Sequence, residues 1–292
     1  MKIITELEYS GVKLAHILLD LSIANEMGQY VALFEKCFGK RANITADTFV
    51  WFNLKTSAAE NYNFGFIDVT TGKLIAAYGL MPNDCILFQQ NLKYTLCTNV
   101  MTDPDYAGKG LFVKIGEESI KYMASIGVSI CIGIPNESAI KGHLKVGWTQ
   151  YQDILFYELS KEKFVINSIA TDIEFEAINQ FSDRDFAYDN FYSNTYDFYI
   201  PRNSKWLNWR CSKPNSNYLK FRITQNKVFK GFIILKEYFD IKESIKKLHI
   251  VDYCTKSGDN SVFEAMLSFI VNFASSVNAD RINLWLFGND TN

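Results

Sequence analysis

The chain has 292 residues, enough for two ordinary domains, and 48% of them are hydrophobic, enough to build real cores. A formal charge of −2 supplies no basic field, so nucleic acid is not an expected partner. The most apolar windows, residues 128–135 and 266–277, fall well short of the roughly 20 residues that span a membrane.

Residues 1–9 carry three charges and the apolar run at 17–21 contains Asp20, so no secretory leader is expected. Six cysteines lie far apart, with no CxxC and no Cys/His pairing. They read as reduced thiols of a cytoplasmic protein, and no metal site is expected. An aromatic share of 15% argues for packed, β-rich structure.

In chain order, Thr48-Phe-Val-Trp-Phe-Asn53 precedes an expected strand at 63–69, a Thr-Thr-Gly-Lys turn and a second strand at 74–80. A third β-prone run at 92–100 enters a turn bearing Pro104, followed by a helix expected over 111–125. Phe112, Ile115, Ser119, Tyr122, Met123 and Ile126 fall on one face of it at steps of three and four. The strand expected at 128–134 completes a strand–helix–strand order, which implies a parallel pair with a right-handed crossover. Residues 153–163 read as a closing strand of this first unit. The boundary is set between residues 1–161 and 162–292.

The pattern then recurs. Lys205-Trp-Leu-Asn-Trp-Arg210 precedes strands at 218–224, 231–236 and 247–254, a helix over 261–276 and a strand at 281–287. Phe263, Leu267, Ile270, Val271 and Ala274 share one face of that helix. Asn136 closes the first series and Asn289 the second, an offset of 153 residues. A duplicated α/β unit follows. The second copy stops short of the Asn-led helix, so it is either incomplete or completed by a segment such as residues 1–28.

Gly108-Lys-Gly110 carries the chemistry. Glycines between a strand and a helix bring backbone N–H groups and a helix N-terminus to one spot, where a phosphate can be held. The alternative is an ordinary tight turn. A nucleoside-triphosphate loop is excluded, because no Gly-x-x-x-x-Gly-Lys-Ser/Thr spacing occurs.

Val100-Met-Thr-Asp-Pro-Asp-Tyr-Ala-Gly-Lys-Gly-Leu-Phe112 resembles the acyl-CoA pyrophosphate loop of the GCN5-related N-acetyltransferases (GNAT). Ile134-Pro-Asn-Glu-Ser-Ala-Ile-Lys-Gly-His-Leu-Lys-Val-Gly-Trp148 is similar to the family's Asn-led helix and closing turn. The resemblance covers residues 30–159 and returns, degenerate, in the second half. It implies an α/β (α+β) protein of two tandem GNAT-like units, each a mixed twisted sheet flanked by helices. Ala107 stands where the family has Arg or Gln, Gly110 at the glycine, and Phe112 at the final small residue. The cradle it implies is mainly the backbone amides from Gly108 through Lys109, Gly110 and Leu111 to Phe112. Backbone groups of Asn99, Val100, Met101 and Thr102 would bind the pantetheine arm of acetyl-CoA, with Asn136 meeting it from the other side.

The implied reaction is acyl transfer from a thioester to an amine, with an amino sugar as first acceptor and an amino acid or peptide amine as second. The family often places a tyrosine acid seven residues after the Asn; here that position is His143. Tyr151 and Tyr157 are weaker alternatives, and the bland reading of His143 is helix packing. Asp103 and Asp105 read as turn formers, and no carboxylate stands out as base.

In the second copy Thr255-Lys-Ser-Gly-Asp-Asn-Ser261 replaces the cradle, and Asp259 would compete with a phosphate for the helix N-terminus. No CoA is expected there. Trp206 and Arg210, with Tyr188, Phe191, Tyr192, Tyr196, Phe198 and Tyr199, could line an acceptor pocket; the alternative is core. Arg210, a charge beside two tryptophans, calls for a carboxylate or phosphate. Two rival readings remain: a CoA-binding sensor without turnover, and an aminoacyl transferase of cell-wall synthesis.

Overall fold

The computed structural model of the chain describes residues 1–40, 44–55, 61–183, 196–255 and 259–287. It divides into two units, Met1–Gln150 with Phe198–Pro201, and Tyr151–Asp197 with Arg202–Asn292.

The first unit is a sheet in the order β1-β2-β3-β4-β5-β6. Its strands are β1 (Lys2–Tyr9), β2 (Val12–Leu19), β3 (Tyr62–Asp68), β4 (Lys73–Leu87), β5 (Gln90–Thr102) and β6 (Ile130–Gly133). All neighbours are antiparallel except β5 and β6, which are parallel and joined by helix α3 (Leu111–Ser125). Helices α1 (Ala24–Phe38) and α2 (Ala46–Leu54) supply Tyr30, Leu33, Phe34 and Phe49 to a core built with Ile17, Leu74 and Met101. A second core gathers Leu111, Ile115 and Met123 of α3 with Phe64, Ile75 and Tyr78. Ile75 and Ala77 of β4, which would share a face in a regular strand, belong to different cores because the pairing with β3 slips between Phe66↔Ala76 and Ile67↔Leu74, a bulge that resets the faces. Helix α4 (Glu137–Val146) docks on α3, where a Cβ at Gly116 would stand 2.7 Å from Val146 and 3.2 Å from the Tyr78 ring.

The second unit repeats the plan. Strands β10 (Leu219–Gln225), β11 (Val228–Asp240) and β12 (Ile245–Thr255) are antiparallel, and β12 pairs parallel with β13 (Arg281–Phe287). Helix α5 (Ser204–Cys211) precedes them and α6 (Asn260–Ser276) makes the crossover. Two mixed sheets flanked by helices thus carry the tandem architecture expected from the repeat.

Three expectations change. Residues 1–19 do not complete the second unit; they form a hairpin on the first sheet. The expected closing strand of the first unit, β7 (Ile154–Ser160), instead pairs antiparallel with β13, giving the sheet order β7-β13-β12-β11-β10-β8 with β8 (Ile173–Ile178) at the far edge. Glu158 pins β7 there, 3.3 Å from buried Lys247 and bonded to Arg281. The boundary therefore falls near residue 150 rather than 161. Finally, α6 buries Val262, Ala265, Met266, Ile270 and Ala274, leaving Phe263 and Leu267 exposed. Ser261, Glu264, Ser268, Asn272 and Ser275 form a polar stripe at steps of three and four, and the buried residues lie opposite it, with Phe263 and Leu267 at its flank. Among the described residues no helix is long and apolar enough to cross a membrane.

One buried group of the first core makes stability depend on pH. His16 stacks on Phe64 at 5.4 Å and meets Phe66 edge-on at 5.5 Å. Burial pulls its pKa down to about 4; Glu118 opposes that shift and Lys114 adds to it. The unfolded chain takes up a proton near pH 6.5 that the folded chain refuses, so stability is full above 6.5 and is lost as pH falls toward 4. The shift corresponds to about 3 kcal/mol, with roughly 2 kcal/mol lost by pH 5. Urea midpoints should therefore drop between pH 7.5 and 5, and His16→Phe should flatten the drop. Equal pH dependence in both proteins would refute this account.

Candidate active site

The site starts where two parallel strands part. β5 and β6 pair from Tyr94↔Ile130 to Cys97↔Gly133. There β6 ends, while β5 runs on to Thr102. Just past that last rung Asn99 takes a left-handed φ of 49°, and the register against β4 slips: Gly79 faces Thr98, but Ala77 faces Met101. This is a β-bulge, which bends the strand and re-aims its backbone. Among the described residues no strand takes the side of β5 that β6 vacates, beside Asn99, Val100, Met101 and Thr102. Met101 itself is buried in the core, so only its backbone is available here.

Beyond β5 a tightly held turn aims the loop. The Asp103 N–H donates to the Ile75 carbonyl at 2.8 Å, and Asp103 Oδ1 accepts the Asp105 N–H at 2.9 Å. Lys36 bridges both carboxylates at 2.6 Å each, holding the Asp105 carboxyl below its usual range. Tyr106 donates to Asp68 at 2.6 Å. Both aspartates are thus turn formers. Ala107 spends its N–H on the Pro104 carbonyl, so the open amides begin at Gly108.

Gly108 and Gly110 have φ of 76° and 72°, conformations that other residues rarely adopt. Ser10 Oγ donates to the Lys109 carbonyl at 3.0 Å, so the Gly110 N–H, trans to it across the same planar peptide, points the other way. Gly110 opens α3 with no side-chain cap, and the first N–H satisfied within the helix is that of Lys114, on the Gly110 carbonyl at 3.1 Å. The amides of Leu111, Phe112 and the next residue therefore have no acceptor inside the helix. Lys109 is exposed, its ammonium 5.5 Å from the Tyr106 ring centroid. Exposed amides, a helix N-terminus and a lysine on one loop form an anion cradle.

Behind the loop lies a buried polar pair. His143 on α4 is 7% exposed, edge-on to Phe112 at 5.1 Å and Trp148 at 5.0 Å, with Nδ1 3.3 Å from the Tyr78 hydroxyl. Burial lowers its pKa below 6.5. The imidazolium donor expected from sequence is thus scarce at neutral pH; the ring is a neutral partner of Tyr78. The same hydroxyl meets Cys97, the last residue of β5 paired to β6, and burial pushes the Cys97 thiol up to about 12. Asn136 caps α4, its Oδ1 accepting from the Ala139 N–H at 3.0 Å and the Ser138 hydroxyl at 2.8 Å. Tyr151 is almost fully exposed and Tyr157 lies on β7, in the second unit.

The second unit has the parted strands without the cradle. β12 and β13 pair only to His249↔Asn283, and Val251 is bulged opposite Ile234 and Leu235. At the start of α6, however, Asp259 accepts from the Val262 N–H and the Ser261 hydroxyl and pairs with Lys230 at 2.9 Å. A carboxylate occupies the place an anion would take. Gly258 lies outside the described residues, as do Tyr188, Phe191 and Tyr192. Phe198 and Tyr199 form β9, a short strand beside β4. Trp206 packs half-buried against the Leu207 and Phe232 core, and Arg210 reaches the Tyr218 hydroxyl at 2.8 Å.

Sequence reasoning passed over Tyr78, Lys36 and Ser10, which no motif marks. Asn99 carried a usable signal: asparagine is among the residues that best tolerate a left-handed turn, and here it sits inside a β-prone run.

Residues 21–151 match the family described as "Acetyltransferase (GNAT) domain". That match falls on the first unit, which therefore carries a GNAT domain. Comparison with curated protein sequences finds no match. Among solved structures, a conserved protein of unknown function from Enterococcus faecalis V583, described as a probable N-acyltransferase, superposes with a TM-score of 0.74 at 14% identity over 96% of this chain and 67% of that one. A GCN5-related N-acetyltransferase from Anabaena variabilis gives 0.72 at 15% identity, over 95% of this chain and 67% of that one. Saccharomyces cerevisiae N-myristoyltransferase with bound myristoyl-CoA gives 0.59 at 10% identity, over 98% and 79%. At these identities the likeness is one of fold.

The loop geometry can be tested without any ligand. A Cβ at Gly110 would stand 2.9 Å from the Tyr9 hydroxyl. Gly110→Ala should cost about 1–2 kcal/mol in urea unfolding from its left-handed φ, plus this contact. Tyr9→Phe in the Gly110→Ala background should recover part of the loss, whereas strictly additive effects would show that the contact carries none of it.

Proposed function

We propose that the first unit transfers an acyl group from acyl-CoA, acetyl-CoA in the first instance, to an amine. The observation that carries this reading is the uncapped, glycine-led start of α3 beside a strand that outruns its parallel neighbour. The diphosphate would rest on the amides from Gly108 to Phe112, with Lys109 at the rim. The pantetheine arm would take the vacant strand position along Asn99–Thr102. Asn136, whose Oδ1 is engaged in its cap, has only its amide nitrogen or backbone left for the arm.

Backbone N–H groups at the bulge would polarise the thioester carbonyl as the amine attacks. The C–S bond then breaks, and the departing thiolate needs a proton. Tyr78 holds one, with neutral His143 as its hydrogen-bond partner, so His143 acts as a positioning residue for that hydroxyl; the proton that the nitrogen sheds as the amide forms replaces the one Tyr78 gives up. Cys97 stays a thiol at neutral pH and does not compete as a nucleophile, which favours direct transfer over an acyl-enzyme. The loop carboxylates are tied to Lys36, so the acceptor enters as the free amine. An amino sugar remains the first acceptor class and an amino acid or peptide amine the second.

Calorimetry with acetyl-CoA should find one site per chain, since Asp259 fills the second helix start. Gly110→Asp should weaken binding at least 100-fold. Thiol release should then be measured with amino sugars, amino acids and peptide amines, using acetyl-CoA and a long-chain acyl-CoA. Binding with no thiol release on any amine would favour the sensor; no binding would end the reading.

His143→Gln should spare acetyl-CoA binding and lower kcat by about 10- to 100-fold. In the parent protein kcat should fall only below pH 6.5, as acid protonates the imidazole that accepts from Tyr78. Full turnover in His143→Gln would remove His143 from the mechanism.

A further inference from the structure

The second unit holds a group of cations whose charge no carboxylate balances among the described residues. Arg210 ends α5, and its guanidinium donates to the Tyr218 hydroxyl at 2.8 Å while lying 5.5 Å from that ring's centroid. Lys236 on β11 lies 5.6 Å from the same ring, with the Ser216 hydroxyl at 3.3 Å as its side-chain partner among the described residues. Lys213, in the turn between Arg210 and Tyr218, is half-buried and senses the charges of both Arg210 and Lys236. Elsewhere in this unit cations of similar burial are neutralised: Arg202 by Asp252 at 2.8 Å, Lys230 by Asp259 at 2.9 Å, Lys246 by Glu237 at 2.6 Å. Three like charges drawn together and partly stripped of water are costly unless an anion joins them.

His249 adds a directional group. It pairs across the sheet with Lys236 and is the last residue of β12 joined to β13. Asn283 donates from Nδ2 to the Tyr238 hydroxyl at 2.8 Å, so its Oδ1 is the acceptor facing His249 Nδ1 at 2.6 Å. The proton is thereby fixed on Nδ1, and Nε2 keeps its lone pair. Burial, with Lys236 and Arg210 close by, holds the ring neutral. The cation group thus stands at the point where the two parallel strands of the second unit part, the position that Cys97 and Gly133 mark in the first.

We infer that the second unit binds the phosphate or carboxylate group of a small molecule, held by Arg210, Lys213 and Lys236, with Tyr218 and His249 at its edge. Arg210 supplies the planar fork that matches either oxyanion, and the two ammonium groups supply charge. The cleft that lost its helix-end cradle to Asp259 recognises an anion through side chains instead. The inference stands whether or not the first unit transfers acyl groups.

The test uses the full chain carrying Gly110→Asp, so that the loop of the first unit cannot report. Inorganic phosphate is titrated by ³¹P line broadening and succinate by saturation-transfer NMR, with the His249 ring resonances as a second readout. The expected result is binding of at least one of them, a His249 shift, and at least tenfold weaker binding in Arg210→Gln and in Lys213→Gln. Lys242→Gln, on an exposed turn, should bind as the parent does. Phosphate alone would identify a phosphate monoester as the natural group, succinate alone a carboxylate, and both would support the shared chemistry. Lys213→Gln lies in a turn, so it keeps the test valid if Arg210→Gln fails to fold. Binding of neither anion, or binding that persists in a folded variant, would overturn the inference.

Discussion

The organising constraint of this chain is the hydrogen-bonding demand of a strand edge. β5 has partners on both sides from Tyr94 to Cys97 and ends with a partner on one side only, because β6 stops at Gly133. A strand edge left open inside a sheet is a template for another extended segment. The bulge at Asn99 keeps that position from closing, and the crossover through α3 sets the start of a helix at its end. The loop of open amides, the vacated side of β5 and the buried Tyr78–His143 pair all derive from this one parting of strands.

The same parting in the second unit has a different outcome because of one side chain at a helix start. Gly110 leaves the amides of α3 open; Asp259 closes those of α6 from within. An intramolecular carboxylate is always present at high effective concentration, so it outcompetes a soluble anion for the same donors. Duplication thus yielded two clefts of one shape and opposite local chemistry. What the second kept is its pleated frame, and its side-chain charge lies on the α5 side of the sheet.

Much of this was legible in the residues. The α3 boundaries, the glycine loop and the repeat could be read because each rests on local rules: period, turn chemistry and self-similarity. The face of α6 was legible from its polar stripe, Ser261, Glu264, Ser268, Asn272 and Ser275, more than from the apolar residues alone, which spread wider than the buried face. The destination of residues 154–160 was not, because a β-prone run shows that it will pair and not with which partner. The role of His143 was half legible. Its spacing from Asn136 was in the sequence, but the burial that keeps it neutral depends on Phe112, Tyr78 and Trp148 arriving from three other places.

The exchanged strand β7 has a consequence for how the chain is made. Ile154 pairs with Phe287, so during synthesis β7 leaves the ribosome long before its partner exists. At about 5–20 residues per second that is a wait of roughly 7–27 seconds. Through that interval Leu155 and Phe156 belong to a nascent chain whose neighbouring strand has not been translated. The pairing that fixes β7 at its sheet edge therefore waits for β13. Pairing across so long a separation is slow, and it makes the arrival of β13 the step on which this side of the second sheet closes.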